Sequence, residues 1–210
     1  MECGQIVVRI SGVYWGKARK SPHREDDFVN SANSLPDHSL ESQETRPAFT
    51  LTGFAVRTTN QVEMGPHGLI PGLWKTYYQS GLPLDSAVRN PHLIYALYTD
   101  YESDASGAYT LVIGHESAEA VPTDEAGETR RAFASIDQER FCARVPDSRY
   151  RVFKTRRGPF GEVVAETWGQ IWAYYEQSSE QRAYTGDFEL YDTRQFDPEA
   201  AEVSIYIAIR

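Results

Sequence analysis

The sequence repeats one aromatic stretch at two places, Leu73-Trp-Lys-Thr-Tyr-Tyr-Gln-Ser80 and Ile171-Trp-Ala-Tyr-Tyr-Glu-Gln-Ser178. Each stretch is followed by a strand-like segment, Tyr95–Asp100 after the first and Phe188–Asp192 after the second. An internal repeat of this kind indicates that one supersecondary unit occurs twice. The alignment of the two segments places Ala96 opposite Glu189 and Tyr98 opposite Tyr191, so a carboxylate in one copy replaces a methyl group in the other.

Hydrophobic periodicity predicts the order strand, helix, strand, strand in each unit. The apolar side chains of the first stretch recur at helical spacing, and the second helix is predicted from about Phe160 to Gln177. The segment Val203–Ile209 alternates with a period of two, which predicts a strand. Its valine and isoleucine side chains are expected to meet the helices.

Residues 1–47 differ from the rest of the chain. They are rich in Ser, Asn and Pro and lack hydrophobic periodicity, which predicts a poorly ordered or loosely docked extension with a short strand at Gln5–Ile10. Residues 48–210 form the predicted domain, divided into repeat one (48–116), an acidic linker (117–148) and repeat two (149–210). A strand is predicted at the end of the linker, at Arg140–Val145.

The composition excludes several classes of function. The net charge of −9 argues against direct binding of nucleic acid, because phosphate neutralisation needs clustered Lys and Arg. No apolar run approaches the ~20 residues that span a bilayer, and the start of the chain lacks the order of a signal peptide. Two cysteines give neither a disulfide framework nor zinc spacing. We therefore expect a cytoplasmic protein without a membrane partner.

No pattern in the sequence predicts a cofactor. Phosphate loops, dinucleotide fingerprints and nucleophile elbows are absent from it. Asp187 and Glu189 lie two residues apart, as a carboxylate pair for a metal or for acid–base work would, but no histidine lies near them in sequence. We expect neither a metal nor a cofactor.

Glu189 is the main candidate for a functional residue. Alternation places it on one strand face with Tyr191, and we expect Tyr206 to share that face. A carboxylate among aromatic rings can hold an organic cation by charge and by cation–π contact. The alternative is an exposed strand glutamate, because Glu is almost never buried unpaired.

Aromatic side chains of both repeats are candidates for the walls of the same cleft. Trp74 and Trp172 occupy equivalent places in the two stretches, whereas Trp168 is better interpreted as core. The predicted ligand-binding set is Glu189, Trp74, Tyr78, Tyr98, Trp172, Tyr191 and Tyr206.

The order and spacing of several motifs resemble the GyrI-like small-molecule-binding family, which includes the effector-binding domains of AraC- and MerR-type regulators. In the first half these motifs are Gly53-Phe54, Thr58-Thr59-Asn60, Ile70-Pro71-x-Leu73-Trp74, Ile94–Asp104 and Gly107-x-Tyr109-Thr110. In the second half they are Trp168-x-x-Ile171-Trp172, Arg182-x-Tyr184–Glu189-x-Tyr191-Asp192 and Val203-x-Ile205-Tyr206-Ile207. The resemblance covers about residues 48–210 and is greatest to stand-alone members carried as integron gene cassettes.

The resemblance implies an α+β fold, in which duplicated, pseudo-two-fold β-α-β-β units form a curved antiparallel sheet. Two helices would pack on one face, with a ligand cleft between the halves. Multidrug-binding members hold hydrophobic cations with a glutamate at the position of Glu189. The DNA-binding domain of the regulators has no counterpart in the motifs of this sequence. The first 47 residues do not resemble any part of the family.

Three functions remain open from the sequence. The leading hypothesis is an effector- or multidrug-binding module that holds an amphipathic, cationic small molecule with Glu189 as counter-charge, in transcriptional regulation or drug response. The second is a hydrolase of the cyclopropane-hydrolysing type, in which Glu189 is the catalytic residue. The third is an inhibitor or interaction protein with a macromolecular partner. A homodimer is also left open.

Overall fold

The two aromatic stretches lie in helices α2, Ile70–Gln79, and α3, Phe160–Gln177, of a computed structural model that describes residues 40–118 and 140–210. A one-turn helix, α1, Asn60–Glu63, precedes α2, and 3-10 turns occur at Leu82–Leu84 and Thr193–Gln195. No helix within the described ranges is long and apolar enough to cross a membrane. The predicted bounds of α3 agree with the structure because its apolar side chains recur at helical spacing throughout.

The strands form one antiparallel sheet, which curls into a half-barrel. Its order is β1-β6-β8-β7-β3-β4-β2-β5. The bounds are β1 Leu40–Arg46, β2 Phe49–Thr59, β3 Leu93–Thr99, β4 Ala108–Glu116, β5 Phe141–Val145, β6 Ser148–Lys154, β7 Asp187–Asp192 and β8 Ser204–Ile209. The α+β fold of two duplicated units is thereby confirmed.

The sheet order has the symmetry of the repeat. Strands β3 and β7 meet at the centre, with β4 and β2 beyond β3, and β8 and β6 beyond β7. The outer positions are exchanged: β1 precedes the first unit in the chain but pairs with β6, and β5 precedes the second unit but pairs with β2. Each unit therefore supplies an edge strand to the other.

The predicted boundary at residue 47 requires correction. Leu40–Arg46, assigned from sequence to the extension, is strand β1, and it pairs with β6. Ser42–Thr45 are exposed, so this edge strand is held by main-chain hydrogen bonds and needs no apolar pattern. The predicted strand at the end of the linker is β5. Residues 1–39, with the strand expected at Gln5–Ile10, and residues 119–139 lie outside the described ranges.

Both faces of the sheet are buried. The inner face packs against α2 and α3 through residues such as Ala96, Ile205 and Ile207. The outer face forms a second apolar cluster around Phe188 and Tyr206, whose stacked rings have centroids 4.5 Å apart. The curl of the sheet thus encloses aromatic side chains on the side away from the helices.

Helix α2 is fixed to β4 by a buried hydrogen bond. The Tyr77 hydroxyl lies 2.7 Å from Nε2 of His115, and Nδ1 of His115 donates to the carbonyl of Leu93 at 2.8 Å. Because Nδ1 carries the proton, Nε2 accepts from Tyr77. Burial lowers the pKa of His115, and its hydrogen bond to the Leu93 carbonyl opposes that shift. The imidazole is therefore held in its neutral form.

Tyr77→Phe should lower the free energy of unfolding by about 1–3 kcal/mol, because Nε2 of His115 is left buried without a donor. Urea unfolding measures the change. The matched control is Tyr78→Phe, one position along the same helix and 47% exposed, for which we expect a change within about 0.5 kcal/mol. Equal effects of the two variants would contradict this role of the Tyr77 hydroxyl.

Candidate functional site

Glu189 lies at the centre of the sheet, beneath the helices. It is paired with Ala96 of β3, and its side chain is 4% exposed. Three neutral donors bind its carboxylate: the Tyr98 hydroxyl at 2.8 Å and the Trp168 indole N–H at 2.6 Å from Oε1, and the Tyr191 hydroxyl at Oε2. Among the residues that the structure describes, the carboxylate is thus hydrogen-bonded without being paired to a positive charge.

The two tyrosines reach Glu189 from equivalent positions of the repeat. Tyr98 follows Ala96 by two residues, as Tyr191 follows Glu189, and the antiparallel pairing of Ala96 with Glu189 places them on opposite sides of that pair. Each hydroxyl donates to a different carboxylate oxygen. Glu189 therefore lies at the pseudo-two-fold axis that relates the two units, where this axis passes through the sheet.

Burial dominates the electrostatics of this group. It raises the pKa of Glu189, and the hydrogen bonds from Tyr191, Trp168 and Tyr98 oppose the shift. Burial, followed by the charge of Glu189, raises the pKa of Tyr98 and of Tyr191 well above the ordinary value. Both tyrosines consequently remain hydrogen-bond donors.

A cleft, here called the first cleft, opens beside Glu189 and has an empty volume of about 490 Å³ including its open mouth. Tyr98 and Trp168 line it, so two of the donors to Glu189 form its wall and the carboxylate lies behind them. The full lining is Asn60, Glu63, Met64, Ile70, Tyr98, Tyr101, Ala105, Tyr109, Trp168, Trp172 and Arg182.

A second cleft, with an empty volume of about 370 Å³, lies on the other side of Glu189. Tyr191, the third donor to Glu189, forms part of its wall. Its lining is Trp74, Tyr78, Ile94, Phe160, Tyr191, Thr193, Phe196 and Pro198, none of which is charged. Among the described residues, the predicted hollow is therefore divided into a cleft with charged residues in its wall and a cleft without them.

Glu63 brings another carboxylate to the first cleft. It ends α1, is 7% exposed, and accepts hydrogen bonds from the Thr58 hydroxyl at 2.5 Å and from the backbone N–H groups of Leu69 at 3.0 Å and Ile70 at 3.1 Å. Two of these donors are N–H groups at the start of α2, where backbone N–H groups have no acceptor within the helix and a negative charge is favoured. Glu63 was not among the predicted site residues, although Thr59 is a good N-cap for a turn of helix at this position.

The only cation in the wall of the first cleft, among the residues that the structure describes, is Arg182. Its Nη2 donates to Asp187 Oδ2 at 2.5 Å, and the same oxygen accepts from the Tyr101 hydroxyl at 2.8 Å. Burial lowers the pKa of Arg182, but the charge of Asp187, its hydrogen bond and the neighbouring Tyr101 and Tyr184 together outweigh burial, so the net shift is upward. Asp187, considered above as part of a carboxylate pair with Glu189, instead compensates Arg182.

Six of the seven predicted binding residues divide into three groups. Tyr98 and Trp172 line the first cleft, and Trp74, Tyr78 and Tyr191 line the second. Glu189 is buried between the two clefts. Trp168, interpreted as core, is buried and also forms cleft wall.

Tyr206 does not lie near the clefts, and this prediction is wrong. Glu189 pairs with Ile205 of β8, and directly paired residues of an antiparallel sheet share a face. The carboxylate therefore joins the isoleucine face under the helices, and Tyr206 points to the opposite face. There the Tyr206 ring stacks on Phe188, and the Arg46 guanidinium lies 4.4 Å from its centroid.

Comparison with known proteins identifies this arrangement. The chain is 30% identical to the integron cassette protein VCH_CASS2 from the mobile metagenome of Vibrio cholerae, with a TM-score of 0.60 over 80% of this chain and 95% of that one. The structure of SAV2435 bound to tetraphenylphosphonium shares the fold, with a TM-score of 0.58 and 17% identity over 80% and 93% of the two chains. In sequence, the chain is 35% identical over 161 residues to a candidate transcriptional regulator protein of Bacillus subtilis (strain 168), YobU, covering 75% of this chain and 90% of YobU.

The curled sheet and its helices form a ligand-binding fold. A family model described as integron-associated effector binding protein matches residues 44–209. The chain belongs to this family. The resemblance noted from the sequence motifs is confirmed, and the matched region begins inside β1, as the corrected boundary requires.

The raised pKa of Glu189 makes stability depend on pH. A carboxyl whose pKa is higher in the folded state binds protons more tightly when folded, so folding loses free energy as pH rises from the unfolded-state pKa to the folded-state pKa. The stability of the wild type should therefore fall relative to Glu189→Gln as pH rises from about pH 4, and the difference should be constant above the folded-state pKa.

Urea unfolding of both proteins between about pH 4 and about pH 8 measures this difference. The control is Glu176→Gln, which removes an exposed carboxyl on α3 and should run parallel to the wild type. A wild type that gains stability relative to Glu189→Gln as pH rises would refute the raised pKa.

Proposed function

We propose that the protein binds an amphipathic, cationic small molecule in the first cleft, with Glu189 as the counter-charge. One observation carries the proposal. The carboxylate of Glu189 is buried, accepts only from neutral groups, and forms no ion pair with any Lys or Arg of residues 40–118 and 140–210. Because a buried charge is normally compensated, a cation supplied by the ligand would complete the site.

The wall of the cleft supports this chemistry. Tyr98 and Trp168 present their rings to the ligand while their O–H and N–H groups donate to Glu189. A cation over these rings would gain cation–π contact and the attraction of the carboxylate behind them. Little water would screen that attraction, because the carboxylate is buried.

The first cleft is favoured over the second as the cation site. Two of the three donors to Glu189 line it, and its wall includes Glu63, whereas the second cleft has an uncharged wall. Tetraphenylphosphonium, the hydrophobic cation in the SAV2435 structure, supplies a probe of suitable chemistry. Since YobU is named as a candidate regulator, we infer that ligand capture serves regulation or drug response through a separate partner.

Glu189→Gln should weaken tetraphenylphosphonium binding by about 1–3 kcal/mol, or about five- to 150-fold, because the neutral amide removes the charge and keeps the side-chain size. Isothermal titration at about pH 8, far above the ordinary pKa of a glutamate, measures the change. Neutral triphenylphosphine oxide should bind both proteins alike. Equal affinity of both proteins for the cation would remove Glu189 from the site.

Three further measurements distinguish the alternative functions that the sequence left open. Mass spectrometry of the recovered ligand should find it unchanged. Conversion of a strained cyclopropane substrate by the wild type but not by Glu189→Gln would instead indicate a hydrolase. A macromolecular partner that binds the wild type and the cleft variants equally well would favour an interaction protein.

Trp172→Ala should weaken tetraphenylphosphonium binding by about 1–2 kcal/mol, since it removes a ring from the wall of the first cleft. Tyr78→Ala, which removes a half-exposed ring from the second cleft, should change the affinity less than about twofold. Competition titrations with both variants locate the cation. A larger effect of Tyr78→Ala would place it in the second cleft.

A further inference from the structure

The first cleft has more negative charge than a single bound cation would need for its balance. Arg182 and Asp187 form an ion pair with Nη2 and Oδ2 2.5 Å apart, so their charges cancel. Glu63 and Glu189 are each less than a tenth exposed, and neither forms an ion pair with a Lys or Arg of the described ranges. Two buried carboxylates without an ion-pair partner in the described part of the chain therefore serve one cleft.

The two carboxylates reach the cleft from different elements. Glu63 comes from the end of α1 and lines the wall directly, while Glu189 comes from β7 and lies behind Tyr98 and Trp168. Tyr109 also lines the cleft, and its ring centroid is 5.4 Å from that of Tyr98. Burial, then the charge of Glu63, then that of Glu189 raise the pKa of Tyr109, so both charges act on the same part of the cleft.

Glu63 also has a structural role, which must be separated from binding. Its hydrogen bonds with Thr58, Leu69 and Ile70 connect the end of β2 to the start of α2. Hydrogen bonds from neutral donors stabilise the ionised form without cancelling its charge. The start of α2 favours a negative charge, and the same carboxylate also lies in the wall of the first cleft, where the one described arginine is already paired with Asp187.

We propose that Glu63 is a second cation-binding carboxylate and that the first cleft prefers ligands carrying two separated cationic groups, one for Glu63 and one for Glu189. This inference rests on the proposed binding of cations beside Glu189. It adds a class of ligand, the organic dication, and a residue that sets the preference. The second cleft, with no charged residue in its wall, should show no such preference.

Two probes with the same skeleton test the inference. One is the dication 1,1′-dimethyl-4,4′-bipyridinium, and the other is the monocation 1-methyl-4-phenylpyridinium, which has a phenyl ring in place of the second pyridinium. The wild type should bind the dication about tenfold more tightly, since a second desolvated charge contact forms. Glu63→Gln should lose most of that preference and keep its affinity for the monocation within about threefold.

The matched control is Thr58→Val, which removes a hydrogen bond to Glu63 without removing its charge. It should keep the preference for the dication. An equal loss of preference in Thr58→Val and Glu63→Gln would assign Glu63 a structural role only and overturn the inference. Thermal unfolding of each variant confirms that binding is measured on folded protein.

The outcomes also separate this inference from the proposed function. Equal binding of both probes by the wild type, with a loss of affinity in Glu189→Gln, would overturn the role of Glu63 and leave the cation site at Glu189. Failure of the wild type to bind either probe or tetraphenylphosphonium would overturn both. A preference that disappears in Glu63→Gln and persists in Thr58→Val would support the dication site.

Discussion

The carboxylate of Glu189 determines which parts of this molecule must meet. A buried, unpaired charge needs several donors, and no single element of the chain supplies them. Tyr98 comes from β3, Tyr191 from β7 and Trp168 from α3. The hydrogen bonds of one side chain therefore hold together the two central strands and the longer helix, and the clefts lie on either side of that connection.

The exchange of edge strands supports the same centre. Because β1 pairs with β6 and β5 pairs with β2, neither unit completes its part of the sheet alone. The aromatic cluster of Phe188, Tyr206 and their neighbours fills the outer face across β6, β7 and β8. The three donors to Glu189 in the cleft walls lie on strands and a helix, which hold side chains more closely than loops do.

The sequence predicted the units, the two longer helices and the alignment of Ala96 with Glu189, because a repeat and helical periodicity are local signals. It placed Tyr206 on the wrong sheet face, since the face that Tyr206 shares with Glu189 or Phe188 depends on the register of β7 with β8. Glu63 was missed because one turn of helix has no periodicity, and Leu40–Arg46 because an exposed edge strand needs no apolar residues. The division into two clefts follows from tertiary packing around Glu189, which no spacing in the chain records.

The two units cannot both carry a glutamate at the positions that pair across the pseudo-two-fold axis. Residues 96 and 189 are direct partners across β3 and β7, and side chains in such pairs have Cβ atoms about 5 Å apart. A glutamate in both copies would bury two carboxylates against each other and divide a single set of donors between them. With Ala96 opposite, one carboxylate takes both tyrosines. The asymmetry then extends outward, because Glu63 at the end of α1 lies in the wall of the first cleft, whereas the wall of the second cleft has no charged residue.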